Sequence, residues 1–278
     1  MRERRVRALL IAAACVVLGA APGLAQTPDS GSSSKAPAPN DPVAQGVAAF
    51  KQRDPAAALH HFNDALRADS TNYEANWRSA LALVTLGAQT PDSVKSPERD
   101  SLYELAVQRA RRAVATNPDG AEGQFILANA LGRSALSKPT DQKLKLAGEV
   151  RAAALRAIEL NPSHDGAYHV LGRWNAEIMR LSGVNRFLAK NLMGGQVLSQ
   201  ASWEGATSNL ERAVALDPSR ITHHLDLAQV YIDRKRWDDA RAQLNAVDSL
   251  PVRDFLDPQY KQTATALLKK IENKGEKT

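Results

Sequence analysis

The stretch Trp203-Glu-Gly-Ala206-Thr-Ser-Asn-Leu210-Glu-Arg-Ala213 returns 34 residues later as Trp237-Asp-Asp-Ala240-Arg-Ala-Gln-Leu244-Asn-Ala-Val247. That interval is the period of a two-helix tetratricopeptide (TPR) unit. Small residues at spacings of three and four share one helical face and let a second helix come close, while the larger residue between them fills the gap. Shorter versions recur upstream as Ala58, Phe62, Ala65, as Ala106, Ala110, Ala113, and as Val150, Ala154, Ala157.

Three cassettes end alike, in Ala113-Val-Ala-Thr-Asn-Pro118, Ala157-Ile-Glu-Leu-Asn-Pro162 and Ala213-Val-Ala-Leu-Asp-Pro218. The proline stops the helix, because the residue before it is pushed out of the helical region. An apolar helix follows each stop, and Tyr168, Leu171 and Gly172 match the aromatic, Leu-Gly opening of the TPR pattern. The pattern predicts helix pairs starting near residues 42, 73, 121, 165 and 221, with a last helix from Pro258 to Asn273 covering the end of the stack. No segment alternates with period two. The expected fold is all-α, a TPR α-solenoid of about five helix pairs plus a C-terminal capping helix.

The links between first and second helices lengthen near Ala88–Ser101, Ser134–Lys145 and Leu181–Ser202. Insertions of this kind sit at loops on one face of a solenoid, often the binding face. In the last of them Val184, Phe187, Leu188 and Leu192 fall at helical spacing opposite Arg186 and Lys190, before Gly194-Gly195. That predicts a short amphipathic helix, either a packed extra turn or a lid over the groove.

Outside the repeats the chain reads as an export address. Arg2, Arg4, Arg5 and Arg7 form a basic head, Ala8–Ala21 is uncharged, and Gly23-Leu24-Ala25 offers a cleavage site. The expectation is a signal peptide at 1–25, a flexible Ser/Pro-rich linker at 26–41, and a repeat domain at 42–273 with its helical insertion at about 181–202. Cleavage would place the protein in the periplasm or cell envelope. It would also remove the single cysteine, and with the signal's charges gone the net charge of +6 falls to +3. The remaining charges are scattered and mixed in sign, which excludes the clustered basic stripe of a nucleic-acid binder.

The segment from Ala157 to Leu250 carries a more specific pattern. Ala157-Ile-Glu-Leu-Asn-Pro162 is followed by His164, Tyr168-His-Val-Leu-Gly-Arg-Trp174, Leu181-Ser182, Asn185-Arg-Phe187 and Ala201-Ser-Trp-Glu-Gly-Ala206. Together these resemble the regulator of microtubule dynamics family, over roughly residues 42–272. The resemblance implies a helical TPR-like domain. From animal members it implies association with microtubules, or with membrane contact sites and phospholipid. An exported chain would not meet microtubules, so what carries over is the fold and an apolar groove.

No phosphate loop, dinucleotide fingerprint, nucleophile elbow or zincin motif is present. Adjacent histidines on a helix point about 100° apart, so neither His60-His61 nor His223-His224 is built to close on one metal. Those side chains read as surface or groove histidines. The expectation is a non-enzyme with no catalytic residues, no cofactor and no metal.

Binding residues follow from the first-helix stripe at i, i+4 and i+7. It gives Val43, Val47 and Phe50, then Trp77, Leu81 and Val84, then Phe125, Asn129 and Gly132. Repeats four and five add His169, Arg173 and Ala176, then Leu225, Gln229 and Ile232. From these, Trp77, Leu81, Phe125, Asn129, His169, Arg173, Leu225 and Gln229 are the candidate partner-binding residues. If Trp77 and Phe125 do not pack against the inserted segments, they make an apolar trough, with Arg173 and Asn129 available to a headgroup or carboxylate. A protein or peptide partner is the first expectation and a lipid-like ligand the second.

Overall fold

In the computed structural model residues 41–181 and 195–275 are described. The expected signal peptide, nearly all of the linker, and the amphipathic segment around Phe187 lie outside them. Eleven α-helices and no strand occur among the described residues: α1 Pro42–Lys51, α2 Pro55–Ala68, α3 Tyr73–Gly87, α4 Pro97–Thr116, α5 Ala121–Ser134, α6 Thr140–Leu160, α7 Asp165–Arg180, α8 Trp203–Leu216, α9 Ile221–Asp233, α10 Trp237–Ser249 and α11 Asp257–Ile271. The odd-numbered α1 to α9 are the first helices of five repeats, and α11 closes the stack.

Local signals set these boundaries. Side chains of Asp41, Asp54, Asn72, Ser96 and Ser202 accept a backbone N–H in the first turn of α1, α2, α3, α4 and α8, satisfying a donor that the helix cannot pair internally. Proline occupies the first turn of α1, α2 and α4, where its missing N–H costs nothing.

Three second helices end in the same way. Asn117, Asn161 and Asp217, each before a proline, have left the helical region, with φ near −140° and ψ near 90°. Each side chain then accepts the backbone N–H two residues on, from Asp119, Ser163 and Ser219, at 3.0 to 3.2 Å. One Asx turn thus sets the same change of direction after repeats two, three and four.

The first two insertions are shorter as links than the sequence led us to expect. The α3–α4 link ends at Ser96 and the α5–α6 link at Pro139, so residues up to Ser101 and Lys145 are helical. The second helices absorb them: α4 and α6 run 20 and 21 residues, against 14 for α2 and α8. Pro97 behind the Ser96 cap starts α4 ahead of its small-residue cassette, and a 3-10 turn at Ala135–Ser137 leads into α6. What remains of the first link is tied down by Arg99, whose NH1 donates to the carbonyls of Pro91 and Val94.

The apolar core is divided. One cluster runs from Ala49 and Phe50 through Trp174 and Ile178, with Leu256 at its edge. A second contains Ala176, Ala206, Leu210, Leu225, Tyr231, Leu244 and Ile271. The division falls inside repeat four: most buried residues of α7 join the first cluster, while Ala206 and Leu210 of α8 join the second.

Candidate functional site

One position recurs on three of the five first helices and fixes the register of the inner wall. Asn76 Nδ2, Gln124 Nε2 and His224 Nε2 each meet the backbone carbonyl six residues earlier, of Ser70, Pro118 and Pro218, at 2.8 to 3.1 Å. Counting from that contact, the next residue along is Trp77, Phe125 and Leu225, and in repeat four, counting from Tyr168, His169. Four further on come Leu81, Asn129, Arg173 and Gln229. The eight candidates therefore occupy two equivalent rows on successive helices. The wall is continuous through packing of α3 on α5 and of α5 on α7.

Most of these side chains are not exposed. Leu81, Phe125, Asn129, His169, Arg173 and Leu225 are buried, while Trp77 and Gln229 are half-buried. Phe125 lies against the His164 ring at 4.7 Å between centroids. Trp77 carries the Arg78 guanidinium 4.2 Å from its ring centroid, a cation–π contact, and packs in part against the first core cluster.

The middle of the wall is a buried band of charge. Arg173 NH1 lies 2.5 Å from Asp226 Oδ1, so this guanidinium reaches the site already neutralised by a neighbour. Glu177, one turn along α7, faces Arg173 at 3.6 Å and also pairs with Arg180, which in turn meets Asp233 at 2.7 Å. Toward the other end, Asp165 Oδ2 accepts from His223 Nε2 at 2.9 Å and lies 3.2 Å from Arg220 Nε. Arg220 continues to Asp217 at 3.1 Å and Asp254 at 3.3 Å. His223 and His169 join the two halves, with 2.7 Å between their Nδ1 atoms, while His169 Nε2 is 2.8 Å from Asp226 Oδ2.

Environment tunes these groups in opposite directions. Burial pushes the Asp226 carboxyl up, but Arg173 and His169 outweigh it and hold it at about 2. Asp165 is held well below the usual carboxylate range, where the His223 hydrogen bond and Arg220 override burial. Burial raises Glu177 and takes Asp254 up to about 7. The same loss of solvent lowers His223 to about 3.

The reading of the histidines as surface or groove side chains holds for His60, which is exposed. His164, His169, His223 and His224 are buried. The spacing argument treated adjacent histidines as pairs, whereas the structure pairs His169 with His223 across 54 residues. No group of three His, Cys, Asp or Glu able to hold a metal occurs among the described residues. Asp165, Glu177, Arg220, His223 and Asp226 are site residues that the i, i+4, i+7 stripe passed over. A signal for them existed: Asp165, His169, Arg173, Glu177 and Arg180 step along α7 every three or four residues with largely alternating charge, on a helix otherwise apolar enough to be buried.

Beside this band a cleft of about 410 Å³, counted to its open mouth, lies between α5, α6 and α7. Val150, Val170, Trp174 and Ile178 line it, and Lys143 and Glu177 bring the charge. Trp174 is fixed by its indole N–H, which donates to the Ala147 carbonyl at 2.8 Å.

Against known proteins, a family model described as Regulator of microtubule dynamics protein 1-3 matches residues 44–272. The chain is 26% identical over 132 residues to Regulator of microtubule dynamics protein 1 of Caenorhabditis elegans, covering 48% of this chain and 58% of that protein. It is 25% identical over 208 residues to the Bos taurus protein of the same name, covering 74% and 64%. Each match thus spans less than two thirds of the relative. Among solved structures, a thermophilic TPR protein of Thermus thermophilus superposes with a TM-score of 0.57 at 20% identity, over 82% of this chain and 100% of that one. That likeness shows the fold alone.

Proposed function

The chain belongs to the regulator of microtubule dynamics family, and on that premise we propose that it is an interaction scaffold holding a protein or peptide partner against its first-helix wall. Stacked helix pairs bury their apolar stripes against each other and offer side chains in rows, a geometry suited to an extended or helical partner. The observation that carries this reading is Trp77, a half-buried indole on the wall next to buried Leu81 and Phe125. Large aromatic side chains with one accessible face are the usual anchors of such contacts.

A second reading, an apolar or lipid-like ligand, is favoured by the cleft between α5, α6 and α7, whose lining is apolar apart from Lys143 and Glu177. A fatty chain would sit against Val170 and Trp174, with an anionic head at Lys143. We place the working protein outside the cytoplasm, on the basic head and uncharged run of residues 1–25. Both imidazoles of the carboxylate–histidine chain are fully buried, and the reading as a binding protein rests on the wall and not on them.

Native mass spectrometry of protein purified from its own host separates the two readings. A co-purifying polypeptide, lost in Trp77→Ser, supports the scaffold. An adduct of acyl mass that survives Trp77→Ser and is lost in Val170→Trp supports the ligand carrier. A polypeptide retained equally by Trp77→Ser would show that the wall is the wrong surface.

A further inference from the structure

The second helices carry charge as well, and on α4 it is concentrated. Gln108-Arg109-Ala-Arg111-Arg112 puts three guanidinium groups within one helical turn, and like charges so placed repel each other. Arg111 is neutralised by Glu149 of α6, 2.8 Å away. Arg109 and Arg112, three residues apart, are neighbours on one face of the helix. Neither forms an ion pair among the described residues.

Elsewhere the fold answers each arginine that it buries. Arg99, Arg133, Arg173 and Arg220 are buried, and each has a carboxylate oxygen within 3.5 Å. Arg109 is half-buried and has none. Its NH2 donates to Asn63 Oδ1 of α2 at 3.3 Å, a neutral acceptor. Its Nε is covered and has no hydrogen-bond partner. Burial first, and then the neighbouring charge of Arg112, disfavour its charged form. The carboxylates around the pair are committed to other arginines: Asp64, next in sequence to Asn63, pairs with Arg67, and Glu149 with Arg111.

A partly desolvated guanidinium without a counter-ion is unfavourable, and a second cation beside it makes it more so. An anion that reaches both relieves this. Guanidinium groups hold oxyanions through paired N–H···O bonds. A carboxylate would cancel one of the two charges, whereas a phosphate group, with close to two charges near neutral pH, cancels both. We propose that Arg109 and Arg112, with Asn63 steadying the first, form a phosphate-binding site on the second-helix face of the stack, away from the first-helix wall.

Free phosphate and a phosphate monoester both offer this chemistry. One turn back on each helix stands a leucine, half-buried Leu59 on α2 and Leu105, 38% exposed, on α4. The organic part of an ester would rest there.

The full chain is titrated with inorganic phosphate and, separately, with phenyl phosphate. A pH of about 8 keeps both mainly dianionic, and ionic strength is held fixed because salt screens exposed charges. Calorimetry gives the affinity, and arginine Nε–Hε resonances give the place. Saturable shifts at Arg109 are expected. Arg112 is exposed, so Arg112→Gln spares the fold, and it should weaken binding by roughly tenfold or more through loss of a charge-assisted contact. Arg111→Gln removes the same charge from a neighbour that already has its carboxylate, and should change the affinity little. Tighter binding of phenyl phosphate assigns the site to an ester held against Leu105, and equal affinity assigns it to free phosphate. Shifts that never saturate, equal losses in Arg111→Gln and Arg112→Gln, or acetate binding as tightly as phosphate would each overturn the proposal.

Discussion

Arg173 on α7 and Asp226 on α9 meet with 2.5 Å between guanidinium nitrogen and carboxylate oxygen, both side chains buried. The pair bridges the two halves of the divided core and joins the last two repeats. Removing one partner leaves the other as an uncompensated buried charge. Asp226→Ala or Arg173→Met should therefore each cost about 3–5 kcal/mol in urea unfolding. Arg173→Met combined with Asp226→Leu should cost far less than the two single changes summed, because no charge is left stranded. Additive losses would mean the two side chains act independently.

Acid should dissolve this joint in a defined order. The Asp226 carboxyl sits at about 2 in the fold and near 3.9 in an unfolded chain. Its contribution is thus complete above about pH 4 and is lost as pH falls through about 2. Nearly two pH units correspond to about 2–3 kcal/mol. The stability gap between wild type and Asp226→Asn should be widest above about pH 4 and narrow steadily below it. A gap that keeps its size down to pH 2 would remove the ionised carboxylate from the account.

Why the fold was legible and the site only half so follows from the length scale of each signal. Most helix starts carry a capping side chain or a first-turn proline, and every Asn-Pro or Asp-Pro stop is local, so helix pairs beginning at 42, 73, 121, 165 and 221 could be read from the residues. Rows such as Trp77, Phe125, His169 and Leu225 were equally legible, because register along one helix repeats in the next. Burial along those rows was not, since it depends on how neighbouring helices close over each other. The His169–His223 contact spans 54 residues, and nothing in either neighbourhood announces the other. The alternation Asp165, His169, Arg173, Glu177 was visible, but what opposes it on α9 comes from a different repeat.

Helix approach within repeat four rests on one missing atom. A Cβ on Gly172 would lie 2.6 Å from Leu210 Cγ, 3.1 Å from the Leu210 backbone N and 3.2 Å from the Ala206 carbonyl. Two of those neighbours are backbone, so α7 and α8 would have to separate. Gly172→Ala should cost about 1–3 kcal/mol and lower the Tm by several degrees. Gly148→Ala on α6 is the control: its new Cβ meets only Val197 Cγ1, at an ordinary 3.8 Å. With space available, the helix gains about 0.5–1 kcal/mol from the stiffer residue. Calorimetry that moved both midpoints downward would show the second helix approach to be as tight as the first.

Two turns elsewhere store strain that substitution can release. Arg53 and Lys235 have positive φ, 63° and 58°, in the short turns that join α1 to α2 and α9 to α10. The hydrogen bonds match. Arg53 N donates to Phe50 O and Asp54 N to Ala49 O, while Lys235 N donates to Ile232 O and Arg236 N to Tyr231 O, all at 2.8 to 3.0 Å. This left-handed residue after a helix is ordinarily glycine, because a Cβ there crowds the following carbonyl. Lys235→Gly removes that crowding, worth roughly 1 kcal/mol, and gives part of it back through a freer unfolded chain. A net Tm gain of one to a few degrees is expected (about 2–4 °C per kcal/mol at this size). Lys235→Ala keeps the Cβ and should gain nothing. If both substitutions lower the Tm alike, it is the lysine side chain and not the backbone angle that matters at this turn.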